Sequence, residues 1–336
     1  MTYLAIKFDM RAPKFGAPIK TLYKEAISQC EWADNVGFGT VMLAEHHGSD
    51  DGYLPSPIVL ASAIAARTKN IRIRLQALIA PFYDPLRLAE DLAVLDIISN
   101  GRAEVVIAGG YVQHEFSMFG QKLPDRGKNI ETCVKTLRQA WRGRPFEYRG
   151  RIISVTPSPL QNSLPIAMGG ASPAAARRAA RMSDGFLPAV PGLNNIYNKE
   201  CQKLGITAKP EELMGPIFLH ISEDPEKSWQ KIAPYALHET NSYGHWMTES
   251  MGEKSVYKKS KNSDALRKNG AYVVVTPDRC IQIASELGPG GRLVLHPLMG
   301  GMPPDLGWEC LKLFKSKVLP FLEVEPPAPP CPGPQI

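Results

Sequence analysis

Along this chain a short apolar run is followed repeatedly by a loop, and then by a segment whose apolar residues recur every three to four positions. Residues 2–8 read as a first strand. Residues 18–36 place Ile19, Leu22, Tyr23, Ala26, Ile27, Cys30 and Ala33 at helical spacing. Gly37-Phe38-Gly39 stops that helix, and 40–44 is the next strand. Further strands are predicted at 71–79, 103–108, 165–168, 185–187, 215–221 and 292–295. They are near-continuous apolar runs, as in Ala103-Glu104-Val105-Val106-Ile107-Ala108, the pattern of strands covered on both faces in a parallel sheet. Eight such strands with helices between them predict an α/β fold, a single (β/α)8 TIM barrel over residues 1–325.

Punctuation supports the helices. Ser56-Pro57, Asp84-Pro85, Ser172-Pro173 and Thr276-Pro277 each join a capping side chain to a proline at the first helical position. Three segments depart from the rhythm. Residues 145–156 predict a small hairpin turning at Gly150. Residues 238–262 are polar and fit neither period, so a lid-like insertion is expected there. Residues 326–336 are proline-rich and read as a disordered tail.

Composition narrows the classes. An apolar share of 44% permits a sizeable core. The net charge of +6 comes without a basic run interleaved with aromatics, so no nucleic-acid partner is expected. No apolar stretch of about 18 residues occurs, so neither is a membrane span. The first residues lack the basic-then-apolar pattern of a leader, and a cytoplasmic protein is expected. The six cysteines form no CxxC pair, which argues against a disulfide framework and a zinc site; no metal is expected.

In a barrel of this kind the reactive groups stand where strands end. After the second strand comes Glu45-His46-His47. A histidine there can supply a proton acceptor that titrates near neutrality, and neighbouring positions point opposite ways, so one of the two would face the mouth. A hydrogen-bonded structural pair is the alternative. After the fourth strand, Gly109-Gly110 removes side chains, so that a flat ring system can lie on the backbone; a plain tight turn explains it equally. After the fifth, Gly169-Gly170-Ala171-Ser172 opens a helix whose free N–H groups and dipole attract an anion such as phosphate, or it is an ordinary capped helix.

Together these segments resemble the bacterial luciferase-like flavin monooxygenases. The likeness runs through Gly37–His47, Pro81–Asp91, Leu95–Arg102 and Glu115–Gly120, and resumes over 164–186. The resemblance implies a barrel that binds reduced FMN, uses oxygen, and oxygenates a small organic substrate such as an aldehyde or ketone. It implies His46 as the catalytic acid/base. It implies a cofactor site built from Gln76, Ala77, Ala108, Gly109, Gly169, Gly170, Ala171 and Ser172, with a non-proline cis peptide at Gln76-Ala77. A separate flavin reductase and a homodimer are the expected partners. Luciferases proper carry an arginine near the flavin phosphate where Gly109 stands here, which leaves the phosphate to the 169–172 turn and Arg177 or Arg178. Relatives with the same barrel transfer hydride with a deazaflavin coenzyme, the alternative cofactor. A non-catalytic flavin-binding barrel is the other alternative.

Overall fold

The computed structural model describes residues 1–251 and 259–327. The strands among them are β1 (Tyr3–Phe8), β2 (Thr40–Leu43), β3 (Arg72–Ile79), β4 (Ala103–Ala108), β5 (Phe146–Tyr148), β6 (Arg151–Ile153), β7 (Ile166–Gly170), β8 (Gly185–Pro188), β9 (Phe218–Ile221), β10 (Tyr272–Val275) and β11 (Arg292–Leu295). The chain forms two compact units. The first holds Met1–Pro55, Arg67–Arg72 and the described residues from Glu212 onward; the second holds Ser56–Ala66 and Ile73–Glu211.

In the first unit β1 lies between β11 and β2, parallel to both, and β9 pairs in parallel with β10. Helix Ile19–Asn35 follows β1 as its spacing predicts. The Asp34 carboxylate near its end accepts from the backbone N–H groups of Lys69, Asn70 and Ile71, fixing the chain just before β3. Around β9 and β10 an apolar cluster gathers Phe218, Trp229, Ile232, Ala236, Leu266 and Tyr272.

In the second unit β3, β4, β7 and β8 lie side by side, all parallel. The register aligns Gln76 with Val106, Val106 with Ala167 and Ala167 with Gly185. Residues so paired share a face of the sheet. The other face carries Val105, Ile107, Ile166 and Met168, all buried. Helices Pro85–Ile98 and Pro173–Met182 start where their proline signals put them, with Asp84 and Ser172 accepting from backbone N–H groups of the first turn. Thr276 caps Pro277–Leu287 in the first unit in the same way. The fully buried Asp96 accepts from the N–H and the amide of Gln161, whose amide also donates to the Ala103 carbonyl, tying a loop to the start of β4.

The parallel α/β expectation is what the units show, and the small hairpin forms as antiparallel β5 and β6 turning through Arg149-Gly150. Two expectations need correction. The structure adds a strand to those predicted, β10, whose Tyr272-Val273-Val274-Val275 run is strongly strand-forming and leads into Thr276-Pro277. The expected lid at 238–262 is in its first half no insertion: residues 238–251 continue one helix, Pro225–Met251, that passes through Pro234. Its buried positions 229, 232, 233, 236, 239, 240, 243, 244, 246 and 247 do follow the helical period. The period was hidden because two of those positions are Glu239 and Thr240, which a search for apolar recurrence skips. Residues 252–258 lie outside the described residues, as does most of the expected proline-rich tail.

Candidate active site

The two units carry different parts of the expected site. In the second, Gln76, Val106, Ala167, Ala108 and Gly169 occupy one face of the sheet towards the strand ends. A Cβ added to Gly169 would meet the Ala108 Cβ at 3.6 Å, so these two positions adjoin. A Cβ on Gly170 would instead strike the Ala175 Cβ at 2.4 Å, so Gly170 faces helix Pro173–Met182 and allows its close approach. The first face is thus a shelf of small side chains, with Ala108, Ala167 and Gly169 only half-buried. The peptide Gln76-Ala77 is cis, at the position the resemblance indicates, and the β3–β4 register shifts beside it. The amide oxygen of Gln76 is buried with no hydrogen-bond partner.

At the ends of β4 and β7 the backbone is bare. Gly110 adopts a φ of 70°, in the left-handed region that glycine enters without penalty. Where luciferases carry an arginine, a Cβ on Gly109 would lie 3.4 Å from the Arg126 side chain, and Arg126 donates to the Gly110 carbonyl at 3.0 Å. A guanidinium thus reaches this corner from the start of helix Arg126–Ala140, well beyond the strand end. Ala171 is exposed, and the exposed Ser172 hydroxyl accepts from the Ala175 N–H as the helix cap. Arg177 is exposed, whereas Arg178 donates to Glu131 at 3.0 Å.

In the first unit His46 and His47 part company as adjacent residues should. The His47 ring N–H donates to Glu45 Oε1 at 2.7 Å. The buried His46 ring is enclosed by Trp246, Tyr53 and Tyr243, with centroid distances of 4.6, 4.9 and 6.0 Å. The hydroxyls of Tyr53 and Tyr243 share a hydrogen bond of 2.6 Å. The Arg11 guanidinium lies over the same three rings, 4.7 to 5.1 Å from their centroids, and donates to Asp51. Burial works against its charge, but Tyr243, Asp51 and Asp9 raise its pKa. His238 shares Asp51 at 2.7 Å; burial alone would raise the Asp51 pKa, but the bond to His238 and the Arg11 charge hold it well below the usual carboxylate range. Sequence reasoning missed Arg11, Asp51, Tyr53, Tyr243 and Trp246. Arg11 stands three residues beyond β1, so the question put to the later strands would have found it there.

Both units are parallel α/β, one with a bare shelf of small residues at its strand ends and the other with an enclosed histidine after β2. The chain belongs to the luciferase-like monooxygenase family, whose model matches residues 11–284. It is 31% identical over 153 residues to the oxygenase component of the flavin-dependent trigonelline monooxygenase of Acinetobacter baylyi, covering 44% of this chain and 42% of that protein. It is 23% identical over 195 residues to an F420-dependent glucose-6-phosphate dehydrogenase of Amycolatopsis mediterranei, covering 55% of this chain and 57% of that one. The match thus spans about two-fifths to three-fifths of these relatives' length. Among solved structures, the oxygenating constituent of 3,6-diketocamphane monooxygenase from Pseudomonas putida, in complex with FMN, aligns with a TM-score of 0.73. That alignment is 19% identical and covers 97% of this chain and 99% of the other, a likeness of fold. No described helix is long and apolar enough to cross a membrane.

Proposed function

We propose that this chain is the oxygenase of a flavin-dependent monooxygenase pair: a (β/α)8 barrel, homodimeric and cytoplasmic, that takes reduced FMN from a separate reductase and oxygenates a small organic substrate. The observation that carries the reading is the shelf of Ala108, Ala167 and Gly169 beside the unpartnered Gln76 amide oxygen. A buried acceptor without a partner costs about 1–3 kcal/mol, and a flavin ring offers the N–H and the flat surface this arrangement lacks. In this reading Gln76, Ala77, Ala108 and Gly109 hold the ring, while Gly169, Gly170, Ala171 and Ser172 with Arg126 hold the phosphate. Bound reduced flavin supplies the electrons that activate oxygen.

The chain's own residues supply position and a proton. The aromatic walls of Tyr53, Tyr243 and Trp246 fix the His46 ring and exclude water from it. His46 then holds or accepts a proton at a ring nitrogen while substrate reacts, and His47 serves structure through Glu45. FMN is preferred to a deazaflavin because the oxygenase relative matches at 31% and the F420-dependent one at 23%.

The test is oxygen uptake with reduced FMN and a panel of aldehydes, ketones and N-heteroaromatic acids, in parent and His46→Ala protein. Uptake coupled to product in the parent, lowered about 10²–10⁴-fold in the variant with flavin binding kept, is expected. Tight deazaflavin binding with hydride transfer and no oxygen uptake would move the assignment to the dehydrogenase branch. A protein that binds flavin but turns over nothing would be the non-catalytic barrel. Gel filtration with light scattering tests the dimer.

A further inference from the structure

The described residues contain a second polar cluster that this reading does not use. Asp9 follows β1, His296 follows β11, and Glu239 lies on helix Pro225–Met251. Their relative exposures are 0%, 1% and 1%. His296 lies between the carboxylates, its Nε2 3.7 Å from Asp9 Oδ2 and its Nδ1 3.6 Å from Glu239 Oε1. These separations are too long for good hydrogen bonds, and none of the four atoms has a hydrogen-bond partner. The other Glu239 oxygen accepts from the Tyr272 hydroxyl at 2.8 Å, which aims Oε1 at the cluster.

Two buried carboxylates facing one imidazole need a positive charge. Arg11 Nε lies 3.7 Å from Asp9 Oδ2, but the guanidinium also serves Asp51. Lys7 also acts on Asp9, so the three carboxylates face two fixed cations and keep one negative charge in excess. A bound cation would balance it, as would a proton on His296 or His238. One ligand atom from each of Asp9, Glu239 and His296 can be chosen so that all lie within 4.8 Å of one another. Three ligands spread evenly at about 2.0–2.2 Å from one ion stand at most about 3.8 Å apart, so a closure of up to about 1 Å brings them onto it.

We propose that Asp9, Glu239 and His296 form a binding site for a divalent transition-metal cation. The two-oxygen, one-nitrogen donor set suits Mn²⁺, Fe²⁺ or Zn²⁺ better than Ca²⁺ or Mg²⁺, because an imidazole nitrogen is a poor ligand for the harder ions. No local motif announces it, since the ligands come from distant parts of the chain. The site is independent of the flavin reading: it neither requires nor supplies the redox step.

The experiment uses the full chain, purified, stripped with chelator and titrated with Mn²⁺ and separately with Zn²⁺ by calorimetry, with metal content measured after gel filtration. About one equivalent per chain is expected, with the dissociation constant raised at least 100-fold in Asp9→Asn and His296→Gln. His245 and Glu249 form an exposed pair one helical turn apart and are the obvious adventitious Zn²⁺ site, so His245→Ala is the control and should keep the tight equivalent. Absence of tight binding, or tight binding lost only in His245→Ala, overturns the proposal. Should the buried variants fail to fold, the parent still decides: bound Mn²⁺ must broaden the ring resonances of His296 before those of His245. Sharp His296 resonances with both ring nitrogens protonated, unchanged by Mn²⁺, would show an imidazolium between two carboxylates and no metal site.

Discussion

Alanine at Gly169 and alanine at Gly170 differ by one position in sequence and by a face of the sheet in structure, so they separate packing from ligand binding. At Gly170 the new Cβ would lie 2.4 Å from that of Ala175, where a normal carbon contact is about 3.5–4.0 Å. The helix must back away by about 1 Å, an overpacking cost of about 1–3 kcal/mol. For a chain of this size that lowers the melting temperature by about 1.5–4 °C. At Gly169 the nearest atoms would be 3.6 and 3.7 Å away, an ordinary contact, so stability should stay within about 0.5 kcal/mol of the parent. Yet if a flat ring or its phosphate arm rests on that backbone, the methyl group lifts it off. A tenfold or greater loss of FMN affinity is then expected, about 1.4 kcal/mol. Thermal unfolding by circular dichroism reads the first effect, and quenching of flavin fluorescence on titration reads the second. Parent-like FMN binding by Gly169→Ala would remove the shelf from the cofactor site. An unchanged melting temperature in Gly170→Ala would refute the packing argument.

Four further outcomes follow from the same geometry. Ser172→Ala should cost about 1 kcal/mol through the lost cap, and Ser172→Asp should keep the cap while repelling an anion; equal FMN binding by the aspartate variant would put the phosphate elsewhere. Arg126→Ala should weaken FMN, but not free riboflavin, in a fluorescence titration; equal losses for both would mean that it acts only through the Gly110 loop. His47→Ala should lower the urea midpoint more than it lowers turnover per folded molecule, because the buried Glu45 Oε1 loses the hydrogen bond from His47. Burial pushes the His220 pKa down to about 4, below the value near 6.5 of an unfolded chain. The unfolded state therefore binds the proton first, and stability should fall by about 3 kcal/mol as pH drops from about 6.5 to 4. His220→Gln should flatten that slope in urea titrations, and an unchanged slope would assign it to other groups.

How far the chain could be read in advance depended on whether its buried positions are apolar. The strands β2 and β4 are near-continuous apolar runs such as Val105-Val106-Ile107, and the proline-started helices announce themselves by chemistry that the caps then use. The Gly-Gly turn and the histidine pair were legible because their residue types are unusual at a strand end. Which glycine faces which side was not, since that depends on register: Gly169 and Gly170 look alike until the pairing of β7 with β4 is known. The second half of helix Pro225–Met251 was illegible for the opposite reason. Its inward stripe is built from Glu239, Thr240, Tyr243 and Trp246, so the helical period is present in burial and absent in hydropathy.

That stripe explains why the richest polar cluster of the first unit escaped a search by motif. Glu239, Tyr243 and Trp246 stand four and three residues apart on one helical face, and each meets a side chain from a distant strand end: Glu239 meets His296, Tyr243 meets Tyr53, and Trp246 meets His46. A buried carboxylate in mid-helix costs several kcal/mol unless it is paired, and the donor that Glu239 finds, Tyr272, is distant in sequence. The chain tolerates it because Asp9, Arg11, His46, Tyr53 and His296 belong to segments that β1, β2 and β11 bring to one end of their sheet. A helix that reads as polar and aperiodic, in a chain whose other elements are plainly apolar, therefore points to the place where polar groups are collected. The same test applied to the ends of β1 and β11 selects Asp9 and His296 from the sequence, because each is the first residue past its strand.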